Sequence, residues 1–137
     1  MDNNEITWEV PYPPDFQRWH LFYPEHPWTT NRDRNFHHMA RAKLIKQWRG
    51  AFKELAEAAQ IPELEVLFIE VMPQVPKRLF QDTAACNPAS KAAIDGLIDA
   101  GVMEDDSSKW LKWILFHPCI YVKGQPGLHV LVVGRPK

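Results

Sequence analysis

Leu44, Trp48, Phe52 and Leu55, with Ala51 and Ala59, fall on one stripe at helical spacing between about Phe36 and Ala59. A stripe of that length commits the chain to an amphipathic helix that must bury one face. Pro62 marks its end. The next segment, LEVLFIEVM at 64–72, is apolar and β-branched and reads as a strand. A second helix is expected from Pro88, a favoured first-turn residue, with Asn87 as its N-cap and Gly101 as its stop. Ser90, Ile94 and Leu97 share its apolar-leaning face, with Ala93 and Ala100 beside them. WLKWILFH (110–117) and LHVLVV (128–133) read as two further strands, joined by a loop containing KGQPG. At the other end, ITWEV (6–10) is a short strand candidate that PYPP stops.

The order β-α-β-α-β-β predicts an α+β fold, a small mixed sheet with two main helices packed on it. A chain of 137 residues fits one domain over 1–137, with a long irregular loop at about 11–35. Two cysteines, Cys86 and Cys119, form no CxxC pair and imply a reducing compartment. The N-terminus lacks the basic and apolar regions of a signal peptide, and no apolar run nears the ~20 residues of a membrane span. A cytoplasmic location, away from membranes, is the expectation.

The net charge of −1 conceals a strong asymmetry. Residues 82–106 carry Asp82, Asp95, Asp99, Glu104, Asp105 and Asp106 against Lys91 alone, a local −5 that leaves +4 elsewhere. Carboxylates held close together repel, and a hard divalent cation relieves that repulsion; Mg²⁺ needs only two or three of them. Such a metal activates water and stabilises charge developing on a phosphodiester. Asp82 precedes the second helix and Asp105–Asp106 follow it, so flanking strand ends would have to bring them together over the sheet. Lys91 would neutralise a phosphate oxygen or hold a carboxylate, and it forms an i,i+4 pair with Asp95. The plainer alternative is a solvated acidic surface with a polar turn after the helix.

A basic stretch lies upstream. Seven bases stand against Asp33 as the one acid in residues 32–53. Arg32, Arg34, His38, Arg41, Lys43, Lys46 and Arg49 are the candidates for contacting a phosphate backbone, with Lys77 and Arg78 just ahead of Asp82. The alternative is the ordinary solvated face of an amphipathic helix. His37–His38 and His117 with Cys119 lack zinc spacing. Trp48, Trp110 and Trp113 are assigned to the core, while Trp19 and Trp28 are the candidates for stacking or partner contact.

Asp82, KAAIDGLIDAG (91–101) and Asp105–Asp106 resemble the signature of the RusA-type Holliday junction resolvases, the crossover-junction endodeoxyribonucleases, most closely their phage and actinobacterial members. NRDRNFHHMARAKLIKQWR also resembles the basic lead-in of that branch, and the likeness covers most of 30–133. The resemblance implies a homodimer acting on branched DNA with Mg²⁺, for which Mn²⁺ could substitute. It implies catalytic roles for Asp82, Lys91 and Asp106, and metal ligation by Asp82, Asp95, Asp105 and Asp106. One departure stands out, since the family's second aspartate falls on Ala84 and its asparagine on Ala85. Asp95 or the side-chain oxygen of Asn87 could compensate; the thiol of Cys86 is too soft a ligand. The implied activity is junction resolution in recombination and repair. The rivals are a junction-binding protein of the same fold without turnover, and a partner-binding protein with no nucleic acid.

Overall fold

A computed structural model describes residues 6–137. Its elements are β1 (Gln17–Tyr23), α1 (Thr30–Asn35), α2 (His38–Ala58), β2 (Leu64–Val75), α3 (Asn87–Asp99), β3 (Leu111–Phe116), β4 (Ile120–Tyr121) and β5 (Gly127–Pro136). The sheet runs β1-β5-β2-β3, with β4 also on β2. β5 is antiparallel to β1 and β2, whereas β3 and β4 are parallel to β2. The α+β class and the two long helices are therefore as expected. α3 supplies the crossover that a parallel β2–β3 pair requires.

Alternation along the central strands divides the sheet into two faces. Leu67, Ile69 and Val71 of β2, with Leu128, Val130 and Val132 of β5, join Trp48, Phe52, Ile94 and Leu97 of the long helices in one core. Phe68, Glu70, Met72 and Gln74 point the other way. Residues 8–16 cover that second face, with Tyr12 and Phe16 against Phe68 and Trp8 edge-on to His20.

This strap corrects the expected strand at 6–10. Residues 6–12 pair with no neighbour in the sheet, and proline-rich PYPP lacks the donors that a ladder needs. The expected loop at 11–35 contains β1 and α1. β2 continues past Pro73 because Val71 O accepts from His117 N and Val75 O from Val122 N. The missing N–H therefore falls between β3 and β4, where no ladder bond is lost. Cys86, not Asn87, occupies the cap position of α3 and makes no side-chain capping bond. Gly101, at φ +81°, ends that helix as expected.

Two tryptophan assignments reverse. Trp28 is 1% exposed and donates to Asp33 Oδ1 at 3.1 Å, while Trp113 on edge strand β3 is 44% exposed. Trp48 and Trp110 are buried as expected, and Trp19 is half-buried. No helix among the described residues is long and apolar enough to cross a membrane.

Candidate functional site

The crossover brings the turn after α3 back alongside its first half. Lys91, one turn into α3, donates from Nζ to Asp95 Oδ1 at 3.2 Å and to Asp106 Oδ2. One ammonium thus holds two carboxylates that are eleven residues apart in the chain. Burial lowers the Lys91 pKa, but the hydrogen bonds to Asp106 and Asp95 outweigh it and leave the group above its ordinary value, firmly charged.

Lys91 and Asp95 line a hollow of about 270 Å³ between α2 and α3, together with Asp33, Arg41 and Asn87. Arg41 donates from Nε to Asp33 Oδ1 at 3.2 Å, and this pair ties α1 to α2. The hollow therefore presents two cations and two carboxylates, all in half-exposed positions.

The other predicted carboxylates stand apart. Asp105 Oδ1 accepts from Ser107 N at 2.7 Å, and hydrogen bonding to Ser107 holds its carboxyl below the usual range. Asp82 makes no side-chain hydrogen bond or ion pair among the described residues and lines a separate hollow with Thr30, Arg34 and Ala84. The convergence of Asp82 with Asp105 and Asp106 is therefore not formed: Asp105 is engaged in its own turn, and Asp106 is turned towards Lys91. Among the described residues no three His, Cys, Asp or Glu side chains gather as they would around a metal ion.

The donor chemistry suits Mg²⁺, which takes hard oxygen ligands and commonly only one or two carboxylates, completed by water and phosphate. Asp95 and Asp106 meet that smaller requirement, since both reach a single cationic centre. They do not make an all-protein cage. Burial pushes the Cys86 thiol up to about 11, so it remains a neutral thiol and cannot replace the carboxylate absent at Ala84.

The basic residues divide by what they already bind. Arg49 forms a two-pronged pair with Asp99, donating from Nη2 to Oδ1 at 2.8 Å, and thereby clamps α2 to α3. That guanidinium holds the Asp99 carboxyl below the ordinary range. Arg41 is likewise committed to Asp33. Arg34, His38, Lys43, Lys46 and Lys77 have no hydrogen-bond or ion-pair partner among the described residues, and Lys43 and Lys46 flank one open hollow on α2. Arg32 and Arg78 lie over the rings of Phe36 and Tyr121.

Sequence reasoning missed a polar cluster on the strap face. Glu70, fully buried, accepts from Tyr12 at 2.6 Å and pairs with His117 Nε2 at 2.6 Å. Beside it, His20, His129 and Gln74 form a second chain. The available signal was Glu70, set between Ile69 and Val71 in the most apolar stretch of β2. Protein-family models give no match to the chain, and no curated protein matches it.

Proposed function

We propose that the chain is a Mg²⁺-dependent, structure-selective DNA endonuclease of the RusA type, acting on four-way junctions as a homodimer. The observation that carries this reading is Lys91 held between Asp95 and Asp106, the motif residues on either side of Gly101 drawn to one point. Bound by those carboxylates, Mg²⁺ would stabilise the charge that develops on a phosphodiester. Relieved of its two partners, the Lys91 ammonium can reach a non-bridging phosphate oxygen. Asp95, one turn along, keeps it on that side of the helix, and Arg41 offers a second cation in the same hollow. The unpartnered cations Arg34, His38, Lys43, Lys46 and Lys77 supply contacts that follow a backbone without reading sequence.

The test is a labelled synthetic four-way junction incubated with Mg²⁺ or Ca²⁺. Paired symmetric nicks that need Mg²⁺ are expected, with none from Asp106→Asn. Lys91→Met should slow nicking about 100-fold, far more than it weakens junction binding. A second reading has its own support: Ala84 stands where the family has a carboxylate, and an ammonium already satisfies Asp95 and Asp106. Tight, junction-selective binding without nicks, even with Mn²⁺, would make the chain a junction-binding protein without turnover.

DNA binding is tested separately by its salt dependence. The double variant Lys43→Ala/Lys46→Ala should lower the slope of log affinity against log salt by about 2. Arg49→Ala should leave that slope unchanged, because Asp99 already holds its charge. Equal slopes in all three proteins would remove α2 from the interface.

A further inference from the structure

The segment leaving β2 breaks the rule that this chain follows elsewhere. Phe80 is fully exposed and Leu79 nearly half so, although most large apolar side chains are packed away. These residues face Tyr121 of β4, itself partly exposed, across a hollow of about 380 Å³ floored by Val75 and Cys119. Arg78 lies over the Tyr121 ring, its Cζ 4.9 Å from the centroid, so the guanidinium caps one side of the phenol. The volume lies at the lower end of small-molecule pockets.

A second hollow adjoins the first, sharing Val75 and Leu79, and is bordered by Arg32, Lys77 and His26. Among the described residues, no aspartate or glutamate lines either one. Exposed aromatic rings, a stacked guanidinium and unopposed cations together match a ligand that is planar and apolar at one end and anionic at the other. An unpaired nucleotide has that composition, since every base offers a π-face and every linkage a negative charge. An anionic lipid surface shares the charge and would accept the exposed Phe80, but a hollow of about 380 Å³ beside the rings favours a discrete ligand.

We propose that this hollow takes an unpaired nucleobase, stacked against Phe80 and Tyr121, with Arg78, Lys77 and Arg32 holding the flanking phosphates. The inference rests on the DNA-binding reading above and adds that the protein engages bases lacking a partner strand, as at a branch point.

The probe is fluorescence-labelled oligothymidylate, compared with an oligomer of equal length containing abasic residues, by anisotropy at fixed salt. Wild type should prefer the base-bearing oligomer by about tenfold. Phe80→Ala and Tyr121→Ala should each erase most of that preference while leaving abasic affinity in place. Phe80 buries nothing, so its variant keeps the wild-type melting temperature. Lys46→Ala should weaken both oligomers alike and preserve the preference. Equal wild-type affinity for the two oligomers overturns the base pocket but leaves DNA binding standing. No binding to these oligomers or to a four-way junction overturns both. Binding to phosphatidylserine vesicles that Phe80→Ala abolishes, without any base preference, assigns the hollow to lipid and overturns the proposal.

Discussion

Acidification from pH 6.5 to 4 will cost the fold about 3 kcal/mol through His129 alone. This imidazole is fully buried on the strap face, and its tautomer follows from the chain of bonds around it. Gln74 donates from Nε2 to Gln125 O at 2.8 Å, which turns Gln74 Oε1 towards His129 Nε2, also at 2.8 Å. His129 must therefore donate from Nε2, leaving Nδ1 to accept from His20 Nε2 at 2.8 Å. A proton added at Nδ1 would meet that donor head-on, in a site that cannot hydrate the charge. Burial first, and then the neighbouring His20, push the His129 pKa down to about 4. Loss of hydration lowers His20 too, but its partial exposure leaves the larger effect to His129.

The sign follows from linkage. Between the unfolded value near 6.5 and the folded value, the unfolded chain binds a proton that the native one refuses. Stability is fully present above that window and falls as the pH descends through it. For a domain of this size the loss corresponds to roughly 10 °C in melting temperature. Carboxylates also titrate below pH 5, so the diagnostic quantity is the difference from His129→Gln, which carries no titratable group. The variant should be less stable at pH 7 yet show a shallower decline between pH 6.5 and 4. Identical slopes would mean that His129 is hydrated and free to charge. Should His129→Gln fail to fold, the His129 ring resonances of the wild type, followed by NMR, give the same answer: titration near 6.5 would refute the argument.

What was legible in the sequence follows the range of the forces involved. The stripe through Trp48 and Phe52, the run 64–72 and the stop at Gly101 are local periodicities and turn chemistry, and each appears in the fold. The strap is not local: residues 8–16 cover the second sheet face, where Tyr12 finds Glu70, 58 positions away. β1 was hidden because QRWHLFY mixes charged, aromatic and apolar residues without alternation, and only its pairing with β5 makes it a strand. In the site, Lys91–Asp95 could be read from i,i+4 spacing, whereas Asp106 joins them through the path of the chain after Gly101. The basic stretch looked uniform in sequence. Yet Arg41 and Arg49 serve Asp33 and Asp99, and which cations stay free depends on helix packing that no spacing rule contains.

Helix packing also fixes a glycine that the fold cannot exchange cheaply. Gly96→Ala should destabilise the protein by about 3 kcal/mol, because a Cβ there would lie 2.5 Å from Arg49 O and 3.0 Å from both Lys53 N and Phe52 Cβ. Two of those three atoms are backbone of α2, which cannot rotate aside as a side chain can. The helices would have to part, loosening Phe52 and Leu97 against each other and pulling Arg49 from Asp99. Alanine's better helix propensity returns only about 1 kcal/mol of this. Gly50 is the internal control. It sits on α2 with nothing among the described residues within 4 Å of its would-be Cβ, so Gly50→Ala should gain about 1 kcal/mol from the same change of residue. Melting of the two variants beside wild type should therefore move in opposite directions, by roughly 10 °C down and a few degrees up. A Gly96→Ala protein that melts with wild type would show that α2 and α3 sit farther apart than their backbones do here. The hollow bounded by Arg41 of α2 and Lys91 of α3 would then lose its defined width. Because the proposed phosphate contacts span that hollow, Gly96→Ala should weaken junction binding in a folded sample.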